Sequence, residues 1–573
     1  MSNVNISRRS FLCSAAGAAG ALLLAPLAGC AAETKDPILI NHVGFAPKAA
    51  KIALLRGPVS GAFTVVDTAD GQIVHRGTLQ PRGGDLGHWS MADFSTLEKP
   101  GRYQLVVGNV RSATFDISAD IYQPAIEAAV RYFAIQRCGD SKTGYAGPCH
   151  LDDGVRRDNH QRRDVTGGWH DACDVRKWVT ATIYGMIGLS RTLAVLGPQR
   201  LNRDRIVDEM RWGNQYFLKM QEPDGYVMDW CGGDDGNDFT DNRPGTADDR
   251  LITVDPAQVP AQFNFVRAQA AMASLTRADD PAYAAACEAA GERCLHWCRE
   301  WRNPQTATSL AAGVLASCAM AELRGEGQPS QTSIEYARRL LALQVTKDNS
   351  DPAIIGHFRE RPDDDQPSRQ IMHGNLPLQA LGALLRQFPA HELAPTWRSA
   401  LRLHADHLLA MADRSAFETI PFGLYAGQDP GGGRRIGRYW YRYFMKPHGE
   451  TKAADWWVGI NAHLASNGVG LMEAATLLED PRLARLAQRQ LDWILGVNPF
   501  NASTITAIGR NQPRLFVTSE FKPPTPLIPG GVMNGIGGDE RDQPQLASGS
   551  YHTCEYWTPM VAYAMWLMAH LQA

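Results

Sequence analysis

At 573 residues the chain is too long for one ordinary core, so two or more domains are expected. A net charge of −3, with no lysine/arginine-rich run, excludes the concentrated basic surface that a nucleic-acid partner requires. Hydrophobic content of 44% and charged content of 20% are those of a globular protein.

Residues 1–35 read as an export segment. Ser7-Arg8-Arg9-Ser10-Phe11-Leu12 is a twin-arginine pattern, and an alanine-rich apolar run follows it. Leu27-Ala28-Gly29-Cys30 has the form of a lipobox, in which Cys30 would be lipidated and become the mature N-terminus. The expected location is therefore periplasmic or anchored to the outer membrane, with that lipid as the membrane contact. No later run is expected to cross a bilayer. Without Cys13 and Cys30, nine of the eleven cysteines remain, and their spacing is not that of a disulfide framework.

Residues 36–120 are expected to be all-β. Ile52-Ala53-Leu54-Leu55, Phe63-Thr64-Val65-Val66 and Tyr103-Gln104-Leu105-Val106-Val107 are β-prone runs separated by Gly57-Pro58, Asp70-Gly71 and Pro100-Gly101. That spacing predicts a small immunoglobulin-like β-sandwich. From 121 to 573 the texture becomes alanine- and leucine-rich. Helices are predicted over 123–136, 177–196, 205–220, 257–276, 281–301, 307–322, 332–345, 374–388, 393–412, 456–478, 481–495 and 557–572. Helices in this number, without a fixed repeat, predict an (α/α)6 barrel rather than a solenoid, so the fold class is mainly α. Long loops at 138–170, 229–256, 346–373, 415–455 and 498–553 are where function is expected.

One loop carries a recognisable pattern. Gly167-Gly168-Trp169-His170-Asp171-Ala172-Cys173-Asp174 resembles the GGW-x-D-A-G-D segment of glycoside hydrolase family 9, which contains cellulases and related β-glucan hydrolases. Gln215 to Gly225 and Leu491-Asp492-Trp493-Ile494-Leu495-Gly496-Val497-Asn498-Pro499 resemble further stretches of that family. Ile38 to Phe45 and Asp93-Phe94-Ser95 resemble the immunoglobulin-like module often placed before its catalytic domain. The resemblance runs through nearly the whole mature chain in the family's order. Cys173 stands where the family has Gly. The stretch Arg514 to Phe521 lacks the His/Arg pair that normally helps to hold the sugar, which bears on the substrate rather than the reaction type.

Glycosidic cleavage needs one carboxyl group to protonate the leaving oxygen and another to activate water. By the resemblance, Asp174 is the base, Asp171 helps to orient the water, and Glu555 is the acid. The three-residue spacing of Asp171 and Asp174 is expected to place both on one face of a helix mouth. Inversion needs about 6.5–9.5 Å between the Asp174 and Glu555 carboxyls. Trp440, Trp456, Trp457 and Tyr551 are candidate sugar-stacking residues, and Arg514 is a candidate replacement for the missing pair. Cys138, Cys149, His150 and His170 form a closed two-thiolate, two-imidazole set suited to structural zinc. Asp234, Asp235, Asp238 and Asp241 make an oxygen-rich loop in which calcium is considered, with no ligands assigned.

The favoured function is inverting hydrolysis of β-1,4-glucosidic bonds in a polysaccharide or its oligosaccharides. Two alternatives stay open: an exo-acting hydrolase of another β-linked sugar such as a glucosaminide, and a non-catalytic surface glycan-binding protein. Nothing in the sequence speaks for an oligomer, so a monomer is the default.

Overall fold

The computed structural model describes residues 36–233, 240–301, 303–448, 457–516 and 524–573. The export segment, Asp234, Asp235, Asp238 and Trp456 lie outside them.

Nine strands make the first module: β1 (Ile38–Leu39), β2 (Gly44–Phe45), β3 (Ile52–Arg56), β4 (Gly61–Asp67), β5 (Ile73–Arg82), β6 (Trp89–Asp93), β7 (Gly101–Val107), β8 (Val110–Arg111) and β9 (Phe115–Ile117). Their order is β1-β3-β6-β5-β4-β7-β9-β2, with β8 on β7. The long β5 turns the corner, because its first half pairs with β4 and its end, Gln80–Arg82, with β6. Alternation along β3 then decides what each side chain meets. Ala53 and Leu55 join the sandwich's own core with Phe45, Phe94 and Phe115. Ile52 and Leu54 point the other way, into the helical core, as do Trp89 and Met91 of β6. One sheet thus has two buried faces, and the module is a packing partner of the helical domain.

The helices are α1 (Gln123–Ile135), α2 (Val179–Leu196), α3 (Arg203–Met220), α4 (Val259–Thr276), α5 (Pro281–Trp301), α6 (Ala307–Arg324), α7 (Gln331–Leu343), α8 (Leu376–Gln387), α9 (Ala394–Ala412), α10 (Asn461–Leu478), α11 (Pro481–Ile494), α12 (Tyr551–Cys554) and α13 (Thr558–Gln572). All twelve stretches expected from the sequence are helical, and the short α12 was not expected. Helices α2, α4, α6, α8, α10 and α13 pack each on the next, and α13 returns to α2. The helices α3, α5, α7, α9 and α11 lean on the outside of that circuit. Composition follows position. Helix α2 buries 14 of its 18 residues and is apolar nearly all round. Helix α5 buries only Ala284, Cys287, Ala290, Gly291, Cys294, Trp297 and Cys298, a single stripe. Helix α2 is apolar and long enough by composition to cross a bilayer, against the expectation that no such run followed the export segment, but 78% of it is buried inside the protein.

The loops also hold short strands that the sequence did not announce. In one small sheet Lys177–Trp178 pairs with Cys231 and Trp230, which is why α2 starts at Val179 and not at 177. In another, Gly423–Tyr425, Arg434–Ile436 and Tyr439–Arg442 form three antiparallel strands. The nine cysteines among the described residues are all buried and unpaired, Cys294 and Cys298 included.

Candidate active site

The Gly167-Gly168-Trp169 run is dictated by close packing on α3. Both glycines have positive φ, 83° and 77°. A Cβ on Gly168 would meet Tyr216 Cβ at 2.6 Å, and one on Gly213 would meet the Trp169 ring at 2.1 Å. Trp169 is thereby sunk into the core, where its Nε1–H donates to Glu209 at 2.8 Å.

The chain leaving α1 runs beside this turn. Cys138 N donates to Gly168 O and His170 N to Gln136 O, each at 2.9 Å. These bonds bring Cys138, Cys149, His150 and His170 together. Their ligand atoms all lie within 4.8 Å of one another, and all four residues are buried. Cys138 Sγ is 3.5 Å from His150 Nδ1, and Cys149 Sγ is 3.6 Å from His170 Nε2. A tetrahedral ion with ordinary Zn–S and Zn–N bonds sets such S···N edges at about 3.6 Å. The Cys149 thiol is lowered to about 7, chiefly by its hydrogen bond with Cys138, with burial opposing. Burial lowers the His170 imidazole and so favours its neutral form. His170 Nδ1 is buried without a protein partner. Two soft sulfurs and two imidazoles fit a divalent metal.

Asp171 to Asp174 follow immediately, and they are not helical. A turn closed by Asp171 N donating to Arg176 O at 3.0 Å carries them, ahead of the Lys177–Trp178 strand. The expected helix mouth is therefore replaced by a loop, held from beneath by buried charge. Lys177 Nζ lies 2.6 Å from Asp153 Oδ2, and Arg250 forks onto both Asp153 oxygens at 2.7 and 2.6 Å. Lys177 also donates to Val165 O and Gly167 O, and Arg250 to Val175 O. Burial alone would raise the Asp153 carboxyl, but the Arg250 and Lys177 charges hold it far below the usual range.

Asp171 is buried and Asp174 half-buried. Each keeps one carboxylate oxygen, Oδ1, with no protein partner. Burial pushes the Asp171 carboxyl well above the usual range, and the charges of Asp174 and Glu555 add to the rise. Asp171 Oδ2 accepts from Trp557 Nε1–H at 3.0 Å, and its carbonyl accepts from both Thr558 N and Thr558 Oγ1. The start of α13 is thus tied to the aspartate turn, and Glu555 stands two residues before Trp557. On the other side Asn534 N donates to Glu555 O at 2.8 Å. Cys173, the departure from the resemblance, is fully buried, with Sγ 3.2 Å from Phe516 O.

Aromatic rings stand beside the glutamate. Trp457 lies flat on His552, centroids 4.0 Å apart and planes 6° apart, and Tyr551 is 3.9 Å from His552 on a tilt. His552 Nδ1 and Trp457 O are 2.5 Å apart. Of the predicted residues, the structure therefore gathers Asp171, Asp174, Glu555, Trp457 and Tyr551. It places Arg514 on an exposed stretch against Gly549, leading into α12. It puts Trp440 in the Tyr439–Arg442 strand under the Arg435 guanidinium. Trp456 falls outside the described residues, and of the four aspartates considered for calcium only Asp241 is described. It accepts from Arg243 N and Thr246 Oγ1.

The sequence passed over three side chains near the aspartate turn. His552 is hidden because the histidine was sought around residues 514–521. Trp178 and Trp230 stack at 4.8 Å across paired strands, a contact far apart in the chain that no local pattern announces.

The molecule is thus a two-module protein: an immunoglobulin-like sandwich docked on a helical circuit that gathers three carboxyl groups at one end. Residues 122–342 match glycosyl hydrolase family 9, and residues 33–112 match the cellulase N-terminal ig-like domain. The likeness to glycosyl hydrolase family 9 is thus shown over residues 122–342, with the ig-like module before it. It is similar to a cellodextrinase of Butyrivibrio fibrisolvens, 31% identical over 33% of this chain and 39% of that protein. It is similar over more of its length to a xyloglucan-specific endo-beta-1,4-glucanase of Bacteroides ovatus, 24% identical over 88% of this chain and 87% of the relative. The fold is that of a Zn-binding triple mutant of a family 9 endoglucanase, with a TM-score of 0.67, 20% identity, and 92% of this chain and 100% of that one covered. The match to the cellodextrinase spans well under half of that relative's length.

Proposed function

We propose that the protein hydrolyses β-1,4-glucosidic bonds in a β-glucan or its oligosaccharides with inversion at the anomeric carbon, on an (α/α)6 barrel formed by the circuit of helices. The observation that carries the reading is the pair of unpartnered oxygens, Asp171 Oδ1 and Asp174 Oδ1, beside Glu555. A water at these two oxygens can accept from a protonated Asp171 and donate to Asp174. Asp171, with its raised carboxyl, keeps a proton and orients that water. Asp174 takes the water's proton as oxygen attacks the anomeric carbon, and Glu555 gives its proton to the departing glycosidic oxygen. Tyr551, half-buried at the outer end of the Trp457–His552–Tyr551 stack, offers a ring face on which a sugar stacks. Cellulose, mixed-linkage glucan and xyloglucan are the substrates of this reading, the last named by the Bacteroides relative.

The test is the anomer first released from a panel of β-glucans, followed by NMR, with Asp174→Asn and Glu555→Gln run beside the wild type. Release of the α-anomer, and a loss of about 10²–10⁴ in rate in each variant, is the expected result. Cleavage of an amino-sugar substrate alone would move the reading to an exo-acting hydrolase. Binding without cleavage of any substrate would leave a glycan-binding protein.

We further propose that Cys138, Cys149, His150 and His170 hold a structural zinc, since the protein fills all four positions and leaves none for water. One zinc per chain in the purified protein is expected from metal analysis, and none in Cys149→Ser. Export by the twin-arginine signal with lipidation of Cys30 belongs to the same proposal and rests on the sequence. Mass spectrometry of the mature N-terminus tests it, and an unmodified residue other than Cys30 would overturn it.

A further inference from the structure

The other end of the helical circuit carries two arginines that no carboxylate pairs directly among the described residues. Arg191 lies twelve residues beyond the first residue of α2, about 18 Å along the helix. It lines a cavity of about 180 Å³ with Arg267 of α4, between the C-terminal halves of α2, α4 and α6. Arg267 is only 4% exposed. Of its five N–H donors, one bond is to Asn264 Oδ1 at 2.9 Å. Among the described residues neither arginine forms an ion pair with a carboxylate. The nearby acid Glu473 pairs instead with Arg386 at 3.2 Å. Ser190 and Ser274 also line the cavity, and the exposed Glu322 lines it from α6. Burial, followed by the charge of Arg191, lowers the Arg267 guanidinium to about 10, so the two cations repel each other. His570 of α13 lies within reach of the same charges and has a buried, unpartnered Nε2.

Arg267 is thus a buried guanidinium with no carboxylate in direct contact, although the charge of Glu473 reaches it, and such a group is costly to bury. We propose that this cavity is a binding site for a small tetrahedral oxyanion, phosphate or sulfate, held by Arg191 and Arg267 at the end of the molecule remote from the catalytic carboxyls. Its volume is enough for such an ion and part of its hydration. Guanidinium forks suit oxyanion edges. Glu322 sets a limit on affinity by facing the same space with the opposite preference.

Calorimetry and thermal melts of the full chain test this, with inorganic phosphate as the probe and chloride at matched ionic strength as the reference. The wild type is expected to bind phosphate saturably, and its melting temperature to rise above that in chloride. Arg191→Gln, at the half-exposed rim, should weaken phosphate about tenfold. In chloride the same variant should melt slightly higher than wild type, because the repulsion is gone. Glu322→Gln should tighten phosphate severalfold. Asp174→Asn should bind phosphate as wild type does, which separates this site from the catalytic one. No saturable signal in the wild type, or wild-type affinity in Arg191→Gln, would overturn the proposal. Should Arg267→Met fail to fold, the Arg191 and Glu322 variants carry the test unaided.

Discussion

The two segments that bring the carboxyl groups together are fastened by opposite kinds of chemistry. The aspartate turn rests on charge and sulfur: the Asp153–Lys177–Arg250 triad beneath it and the Cys138–Cys149–His150–His170 cluster before it. The glutamate segment rests on backbone bonds and ring contacts: Asn534 N to Glu555 O, Trp557 N to Val532 O, and the Trp457–His552–Tyr551 stack. The two meet where Trp557 and Thr558 bond to Asp171. One side of the site should therefore respond to deletion of a charge and, on the zinc proposal, to chelators, and the other to loss of ring area.

The largest difference should appear on metal removal. Structural zinc sites in small domains contribute about 10 kcal/mol or more of apparent binding free energy. Stripping zinc from the purified protein should lower the melting temperature and abolish hydrolysis, with zinc restoring both. Protease cleavage should then begin in 138–176 and spare 530–557. First cuts in the glutamate segment would erase the distinction between the two sides.

Deleting the acid of the triad comes next. Asp153→Asn leaves Lys177 and Arg250 buried with no carboxylate, at a cost of about 3–5 kcal/mol in unfolding free energy. On the other side, His552→Ala removes a stack worth about 0.5–1.5 kcal/mol. That variant should show a raised KM together with its small loss of stability, because on the proposed function it loosens Tyr551, the ring offered to the sugar. Urea unfolding of both variants checks the ordering. Equal losses would mean that the triad carries no more of the load than the stack.

These contrasts also show what a sequence discloses. The helices were legible because a run of 12 to 21 residues repeats its apolar spacing several times over, and α5 keeps its stripe from Ala284 to Cys298. The cluster of Cys138, Cys149, His150 and His170 was legible from side-chain type and closeness in the chain. The triad was not, because Asp153, Lys177 and Arg250 meet only after three loops have folded. The shape of the aspartate turn was misjudged for a related reason. A three-residue spacing suits a helix, but the pairing of Lys177–Trp178 with Cys231 and Trp230 holds the preceding chain out of α2. The Trp178–Trp230 stack comes from that same pairing. Local pattern reports elements well, and it reports poorly on contacts made by residues from different loops.

The smallest effect concerns Asp171 itself, and its sign is opposite to that of the other variants. Burial and the Asp174 charge raise its carboxyl well above 3.8 in the folded protein. The unfolded chain releases that proton near the ordinary value while the folded chain still holds it. Stability from this group is thus complete below about pH 4 and declines as pH rises towards the raised value. Asp171→Asn removes the titration and leaves an amide oxygen to accept from Trp557 Nε1–H. The variant should therefore unfold like wild type near pH 4 and become more stable than wild type towards pH 7, although its hydrolysis is impaired. Urea midpoints from pH 4 to pH 8 read this directly. Parallel curves would mean that Asp171 is ionised in the folded protein, and the proton needed for its water-orienting role would then have to come from elsewhere in the turn.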